Sequence, residues 1–563
     1  MQNALRDTAM VEVKSRVLEA CLTQAALPDG MPIDVLVNDT LHHEKKRLET
    51  DKKSPTAHED AAFWDGVKAR LGHANESEIK DILGTVIGRF ADEIRGNFSA
   101  PLYQLATRVM PRALPMLLNA MSPKRLLQRG VPDIRDTIQI QGDLEAVRAV
   151  QKHGTLILTP THVSNLDSPV IGWAIYAMGL PPFTYGAGLN LFSNPVMSLF
   201  MRNLGAYRVD RLKTAPLYKD VLKEYATMSL ELGQPNLFFP AGTRVRSNRI
   251  EQKLKLGLLS SGLRAYINNL QRPTSSAPRA SPNAALASAS RSSPNIYIVP
   301  CTLNYHLVLE AETLIEDHLQ REGKSRYIIT DDESYLPRKI LQFTQNLLSL
   351  DSRIVVEIAP PIDPFGNRVD PATGESVDRH GRVIDIRRYV TDRSGQPVHL
   401  PQRDRIYTQE AGEAIARAFL AHNVVLSTQI VAFVAWEVLR ARASARGGGT
   451  VDLYRFLRSG DDGTGLELGR FTELVHAAGR ALATKAEAGA IKLDRGAVQR
   501  GDAVEIIQSA LRHFASYHTR AVLVRKGDRL FANDMKLLLY YSNRLRGYGL
   551  EKELAPLFRE GGA

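Results

Sequence analysis

The chain has 563 residues, 44% of them hydrophobic and 24% charged, with a net charge of +11. This length predicts roughly two to four structural units, and the balance of apolar to charged residues excludes a disordered chain. Two cysteines, Cys21 and Cys301, neither in a CxxC pair, exclude a disulfide framework and a cysteine-based zinc site, and fit a reducing, cytoplasmic compartment.

The first residues carry acidic side chains and no continuous apolar core, so no signal peptide is expected. Residues 1–135 read as a helical region, because apolar residues recur at spacings of three and four in Ile79, Ile82, Leu83, Val86, Ile87 and Phe90. From 136 to 362 short β-rich runs (TLILTPTH, PFTYGAG, AYRVDR, NLFFPAG, NIYIVPCTLNYH, RIVVEIAPP) alternate with helical stretches. This alternation predicts an α/β domain, a mixed sheet covered by helices, with helical regions on either side in sequence. The Ser/Ala/Pro-rich segment 273–294 is expected to be a mobile loop inside it. Turn signals at FGN, ATGES, RHGR and RSGQP predict projecting hairpins over 363–404, and helical periodicity returns over 405–563. No internal repeat is visible.

No segment reaches the ~20 apolar residues of a membrane-spanning helix. The longest apolar run, Val424 to Leu439, contains Gln429 and Glu437 and ends near Arg440 and Arg442; burial against the catalytic domain and contact with a membrane surface both fit it. The positive charge predicts an anionic partner: nucleic acid, anionic headgroups, or phosphorylated substrates. Nucleic acid is excluded by the lack of a zinc-finger, RNA-recognition or aromatic stacking pattern.

Four short motifs in the α/β region carry candidate chemistry. In THVSNLD, His162 and Asp167 follow a buried-looking strand. A turn from that strand into a helix sets the carboxylate against the imidazole, which leaves the other ring nitrogen to take a proton from a hydroxyl. The same spacing occurs at His380 with Asp385 and at His399 with Asp404, but both pairs lie in the hairpin insert and read as structural ion pairs. GAYRVDR carries Arg208 and Arg211, whose forked donors suit a phosphate. In FFPAGTRVRS an apolar strand ends in a turn at Gly242 and Thr243, whose amides suit an anion, followed by Arg244 and Arg246. IVPCTLNYH is a strand interrupted by Pro300, which marks an edge or a local break.

In order and spacing these four stretches resemble the four blocks of the glycerolipid acyltransferase superfamily. The resemblance implies His162 as general base, Asp167 as its orienting partner, Arg208, Arg244 and Arg246 as ligands of the acceptor phosphate, and Pro300 at the acyl site. Backbone near Gly242 and Thr243 would hold the oxyanion. It implies no metal and no bound cofactor, with acyl-CoA or acyl-carrier protein as co-substrate. A lipid product, the lack of a spanning segment and the charge of +11 predict a peripheral place on the cytoplasmic face of the membrane. The Arg-x-Arg of the third block, Lys255 with Gly257, and the C-terminal LLLYYSNRL are most like the glycerol-3-phosphate acyltransferases, whereas GAYRVDR is closer to the lysophosphatidate branch. Ala241 stands where the family usually has a glutamate; a catalytically silent lipid-binding relative is the reading that this departure motivates.

Overall fold

The computed structural model describes residues 3–50, 57–99, 101–104, 138–188, 205–272, 293–322, 353–447, 449, 451–459, 463–515 and 518–560. The loop expected over 273–294 therefore lies almost entirely outside the described residues.

Four helices come first: α1 (Asn3–Ala25), α2 (Ile33–Thr50), α3 (Ala57–Leu71) and α4 (Glu76–Ile94). In α4 the periodic residues Ile82, Leu83, Val86, Ile87 and Phe90 are all fully buried, and Asn75 with Glu78 closes a capping box at its start. The same apolar cluster takes in Tyr207, Leu217, Tyr218 and Val221 of the α/β unit, so these helices pack on it rather than standing apart. Charge bridges the contact as well: Arg16 bonds Glu231, and Lys213 bonds Glu93.

The α/β unit is built on β1 (Ile138–Gly142), β2 (Thr155–Pro160), β3 (Thr184–Gly188), β4 (Ala206–Val209), β5 (Asn236–Leu237), β6 (Ile296–Tyr305) and β7 (Ile354–Ile358). They form one mixed sheet in the order β1-β7-β6-β2-β5-β3-β4. Neighbours run parallel except at the antiparallel β6–β7 pair. Helices α5 (Leu144–His153), α6 (Asp167–Ala177), α7 (Pro216–Glu231), α8 (Leu256–Gln271) and α9 (Ala311–Glu322) accompany it. All six residues of β2 and all ten of β6 are buried, which explains their continuous apolar runs.

Pro300 is not at a sheet edge: β6 is flanked by β2 and β7, and Pro300 sits opposite Thr159. It marks a break in the ladder instead. Ile298 bridges Ile362 and Cys301 pairs with Ile358, so the partner side carries one more residue, and Pro300 only accepts there, from the Ala359 N–H.

The insert over 363–404 contains the hairpin of β8 (Arg368–Val369) and β9 (Ser376–Val377). Asp363, Asp378 and Asp392 each accept backbone amides two and four residues on, and each turn has a glycine at positive φ. The hairpins lie against the domain rather than projecting from it: Tyr297 donates to the Gly374 carbonyl, and His399 meets Asn268 at 2.7 Å.

From the end of the insert onward come α10 (Pro401–Ala421), β10 (Val424–Val425), α11 (Ser427–Arg446), α12 (Leu468–Glu487), β12 (Lys492–Leu493), α13 (Ala503–Phe514) and α14 (Met535–Ser542), with β10 and β12 paired in parallel. Residues 427–439 of α11 are all buried, inside a cluster that runs from the sheet into the C-terminal helices. The apolar run is thus core, and its Glu437 is paired with Arg440 and Arg546. This region also holds a small antiparallel sheet, β11 (Leu466–Glu467), β13 (Leu523–Lys526) and β14 (Arg529–Ala532), that helical periodicity does not reveal. Among the described residues no helix is long and apolar enough to cross a membrane.

Candidate active site

The carboxyl ends of parallel strands are where open α/β sheets expose loops to ligands, and here the motifs converge there. β2 ends at Pro160 and the chain turns through 161–166 into α6, whose first residue is Asp167. Asp167 Oδ2 meets His162 Nδ1 at 2.8 Å and also accepts the amides of Val163 at 2.6 Å and Ser164 at 2.9 Å. Its Oδ1 accepts from the Tyr305 hydroxyl at 2.6 Å. The carboxylate is fully buried, and its four donors fix it in place.

The imidazole is held on a second side by Phe239, stacked at 4.2 Å between centroids. Asp167 takes Nδ1, and among the described residues Nε2 has no hydrogen-bond partner, which leaves that nitrogen for a substrate hydroxyl. Burial is the largest influence on the His162 pKa and lowers it; Asp167 opposes this, while Arg244 and Arg211 add to it. The ring is therefore neutral near pH 7, as a base must be.

The two other His-x4-Asp pairs are built differently. His380 is exposed and faces Arg379, while Asp385 caps its own turn and pairs with Arg388. His399 lies 3.5 Å from Asp404, but its Nε2 is engaged by Asn268.

The third motif folds into a tight turn after β5. Gly242 has φ +74°, so the backbone favours glycine there; a Cβ would meet only the movable end of the Lys255 side chain. The Gly242 N–H donates to the Phe239 carbonyl at 2.9 Å, which closes the turn. Val245 N–H donates to the His162 carbonyl at 2.8 Å, tying this turn to the base.

The arginines are engaged with carboxylates. Arg244 Nη1 lies 3.4 Å from Glu310, and Arg246 pairs with Asp317 of α9. Arg208 is half-buried on β4, and Arg211, at the end of that motif, lies near enough to influence His162. Pro300 is one strand from the base, beside Thr159 of β2.

Sequence reasoning missed several residues that build this site. Glu310 accepts from Ser164 Oγ at 2.9 Å and from the Asn165 amide at 2.8 Å. Glu251 accepts from the His162 amide at 2.8 Å. Burial pushes both carboxyls up to about 7. Ala241 brings no carboxylate, and Glu251 arrives at the base from ten positions further on. Tyr305 and Glu310 stand in or just after the fourth motif, which was their only signal; Glu251 had none. The C-terminal LLLYYSNRL also reaches in: Asn543 bonds the Ser247 carbonyl, Asn248 bonds the Tyr540 carbonyl, and the Tyr541 hydroxyl receives the Val308 amide. No cluster of three or more potential metal ligands occurs among the described residues.

Comparison with known proteins places this geometry. The Acyltransferase family model matches residues 142–304, which include the first three motifs and the fourth as far as Asn304. Glycerol-3-phosphate acyltransferases are similar: that of Pseudomonas fluorescens (strain SBW25) is 29% identical over 199 residues, 35% of this chain and 21% of the relative. That of Aeromonas hydrophila is 33% identical over 136 residues, covering 24% and 17%, and that of Pseudoalteromonas translucida 29% over 241 residues, covering 43% and 25%. The matches thus span about a quarter or less of these relatives' own length. Among solved structures, the 1-acyl-sn-glycerophosphate (LPA) acyltransferase of Thermotoga maritima aligns over 56% of this chain and 91% of its own, at 12% identity and a TM-score of 0.24. Residues 142–304 of this chain are an acyltransferase domain, similar in sequence to part of the glycerol-3-phosphate acyltransferases.

Proposed function

We propose that the protein is a glycerol-3-phosphate O-acyltransferase that takes a fatty acyl group from acyl-CoA or acyl-carrier protein. The observation that carries this reading is the His162–Asp167 pair, with its second ring nitrogen unengaged and Arg211 and Arg244 close by. His162 Nε2 takes the proton of the acceptor hydroxyl as the oxygen attacks the thioester carbonyl. A C–O bond forms, the C–S bond breaks, and the imidazolium returns the proton to the departing thiolate. Asp167 holds the tautomer and stabilises the imidazolium throughout.

The acceptor phosphate draws Arg244 from Glu310, and the cations of Arg208, Arg211 and Arg246 favour the anion. The Thr243 amide, in the turn after Gly242, is the proposed oxyanion donor. Pro300 and the fourth motif border the acyl group. The chemistry calls on no metal or bound cofactor. The net charge of +11 supports peripheral attachment to the anionic cytoplasmic face of a membrane, where the product is a lipid.

A second reading, transfer to lysophosphatidate, is favoured by the GAYRVDR motif. Offering the purified protein palmitoyl-CoA with glycerol 3-phosphate or with lysophosphatidate, and identifying the product by mass spectrometry, separates the two. Turnover with neither acceptor contradicts both and leaves a silent lipid-binding relative.

A further inference from the structure

The loop that carries the base ends in an unusual accounting of hydrogen bonds. Four consecutive amides, those of His162, Val163, Ser164 and Asn165, are all received by carboxylates: the first by Glu251, the next two by Asp167, the fourth by Glu310. The three acids come from three separate places: the start of α6, the segment after the Arg-x-Arg turn, and the loop that leads from β6 into α9. All three are buried. Loop amides just before a helix can be satisfied by neutral acceptors, and burying carboxylates is expensive unless the geometry they impose is needed.

We propose that Glu251 and Glu310 are positioning residues for acyl transfer, which with Asp167 form a three-carboxylate clamp on the loop 162–165 and so fix His162 in place. The inference rests on the acyltransferase reading for its catalytic consequence and on the hydrogen bonds alone for its structural one. Glu251 reaches the loop because Asn248 adopts a left-handed conformation (φ 62°) that turns the chain, and because Lys255 N–H then bonds the Pro240 carbonyl and folds the segment back. The fully buried Arg544 donates to Asn423, Asn304 and the Leu303 carbonyl, and its charge favours the ionised form of Glu251. The C-terminal region thereby acts on one acid of the clamp although it supplies none of the four motifs.

The test uses the full chain with Glu251→Ala and Glu251→Gln. In the alanine variant the His162 amide loses its acceptor, and kcat falls by about one to two decades while both KM values stay within about threefold, because no substrate contact is removed. Glutamine still offers an oxygen to the amide and should recover most of that loss. Hydrogen exchange of a peptide spanning 161–165 is read in parallel and requires no turnover: it should speed up at least about tenfold in Glu251→Ala and stay near the parent rate in Glu251→Gln. Unchanged exchange at 161–165 in the alanine variant, or unchanged kcat with normal exchange elsewhere, overturns the clamp. If the parent transfers no acyl group, the functional proposal fails, while the exchange comparison still decides the clamp. If Glu251→Ala does not fold, glutamine decides: parent-like kcat and exchange support the hydrogen bond, and a fall in kcat accompanied by faster exchange across the whole chain refutes a local role.

Discussion

Replacing Glu310 by glutamine separates its hydrogen bonds from its charge. The carboxyl is 1% exposed and burial raises it from an ordinary 4.5 to about 7, even with Arg244, the Asn165 amide and the Ser164 hydroxyl acting the other way. Ionising it inside the fold is therefore about 3 kcal/mol harder than in the unfolded chain. The sign follows from proton binding. The folded state holds the proton more tightly, so the contribution of Glu310 to stability is full below pH 4.5 and is lost as pH rises through 7. Glutamine is neutral at every pH and does not share this loss. Urea unfolding of parent and Glu310→Gln at pH 5 and pH 8 should show the variant gaining about 2 to 3 kcal/mol relative to the parent across that interval. Glu251 also titrates near 7 but is present in both proteins and cancels. A stability difference that is the same at both pH values would refute the reasoning, because it would mean that Glu310 is not held protonated by burial.

Three further outcomes are expected. The acid limb of kcat/KM should lie below 6.5, and Arg211→Ala should move it to higher pH, because removing a nearby cation makes the imidazolium easier to form; a limb that stays in place would separate Arg211 from the base. His380→Ala and His399→Ala should keep activity within about twofold, since neither presents an unengaged base in a buried site; a collapse of turnover in His380→Ala would overturn the assignment of the site. Sedimentation with anionic vesicles should be strong at low salt and weaken as salt screens the headgroups, and attachment that survives high salt and alkaline carbonate would contradict peripheral binding.

Sequence reading reached the sheet and the base for a clear reason. Strands β2 and β6 are buried on both faces, so their apolar runs are unbroken, and the base follows one of them directly. The carboxylates around the base were not legible in the same way. Glu251 lies in a polar stretch that looks like a solvated helix face, and only the turn at Asn248 and the return at Lys255 carry it to His162. Local sequence shows the cation of Arg244 but not its partner in the fold, since Glu310 is 66 positions away. The run Val424 to Leu439 left membrane contact and burial open, since periodicity cannot distinguish two apolar environments; the packing of α11 among α12, α13 and α14 resolves it as core. The small C-terminal sheet escaped because its strands are two to four residues long, although the turn at Gly527 between β13 and β14 was a usable signal.

Proton removal by His162 is the step on which acyl transfer depends most directly. Purified parent and His162→Ala should be compared for transfer from palmitoyl-CoA to glycerol 3-phosphate, with folding checked by circular dichroism and the product identified by mass. The parent should form the monoacylated glycerol phosphate, and the variant should lose about two to four decades of turnover with its fold intact. Turnover of the folded variant within a few-fold of the parent would contradict the account.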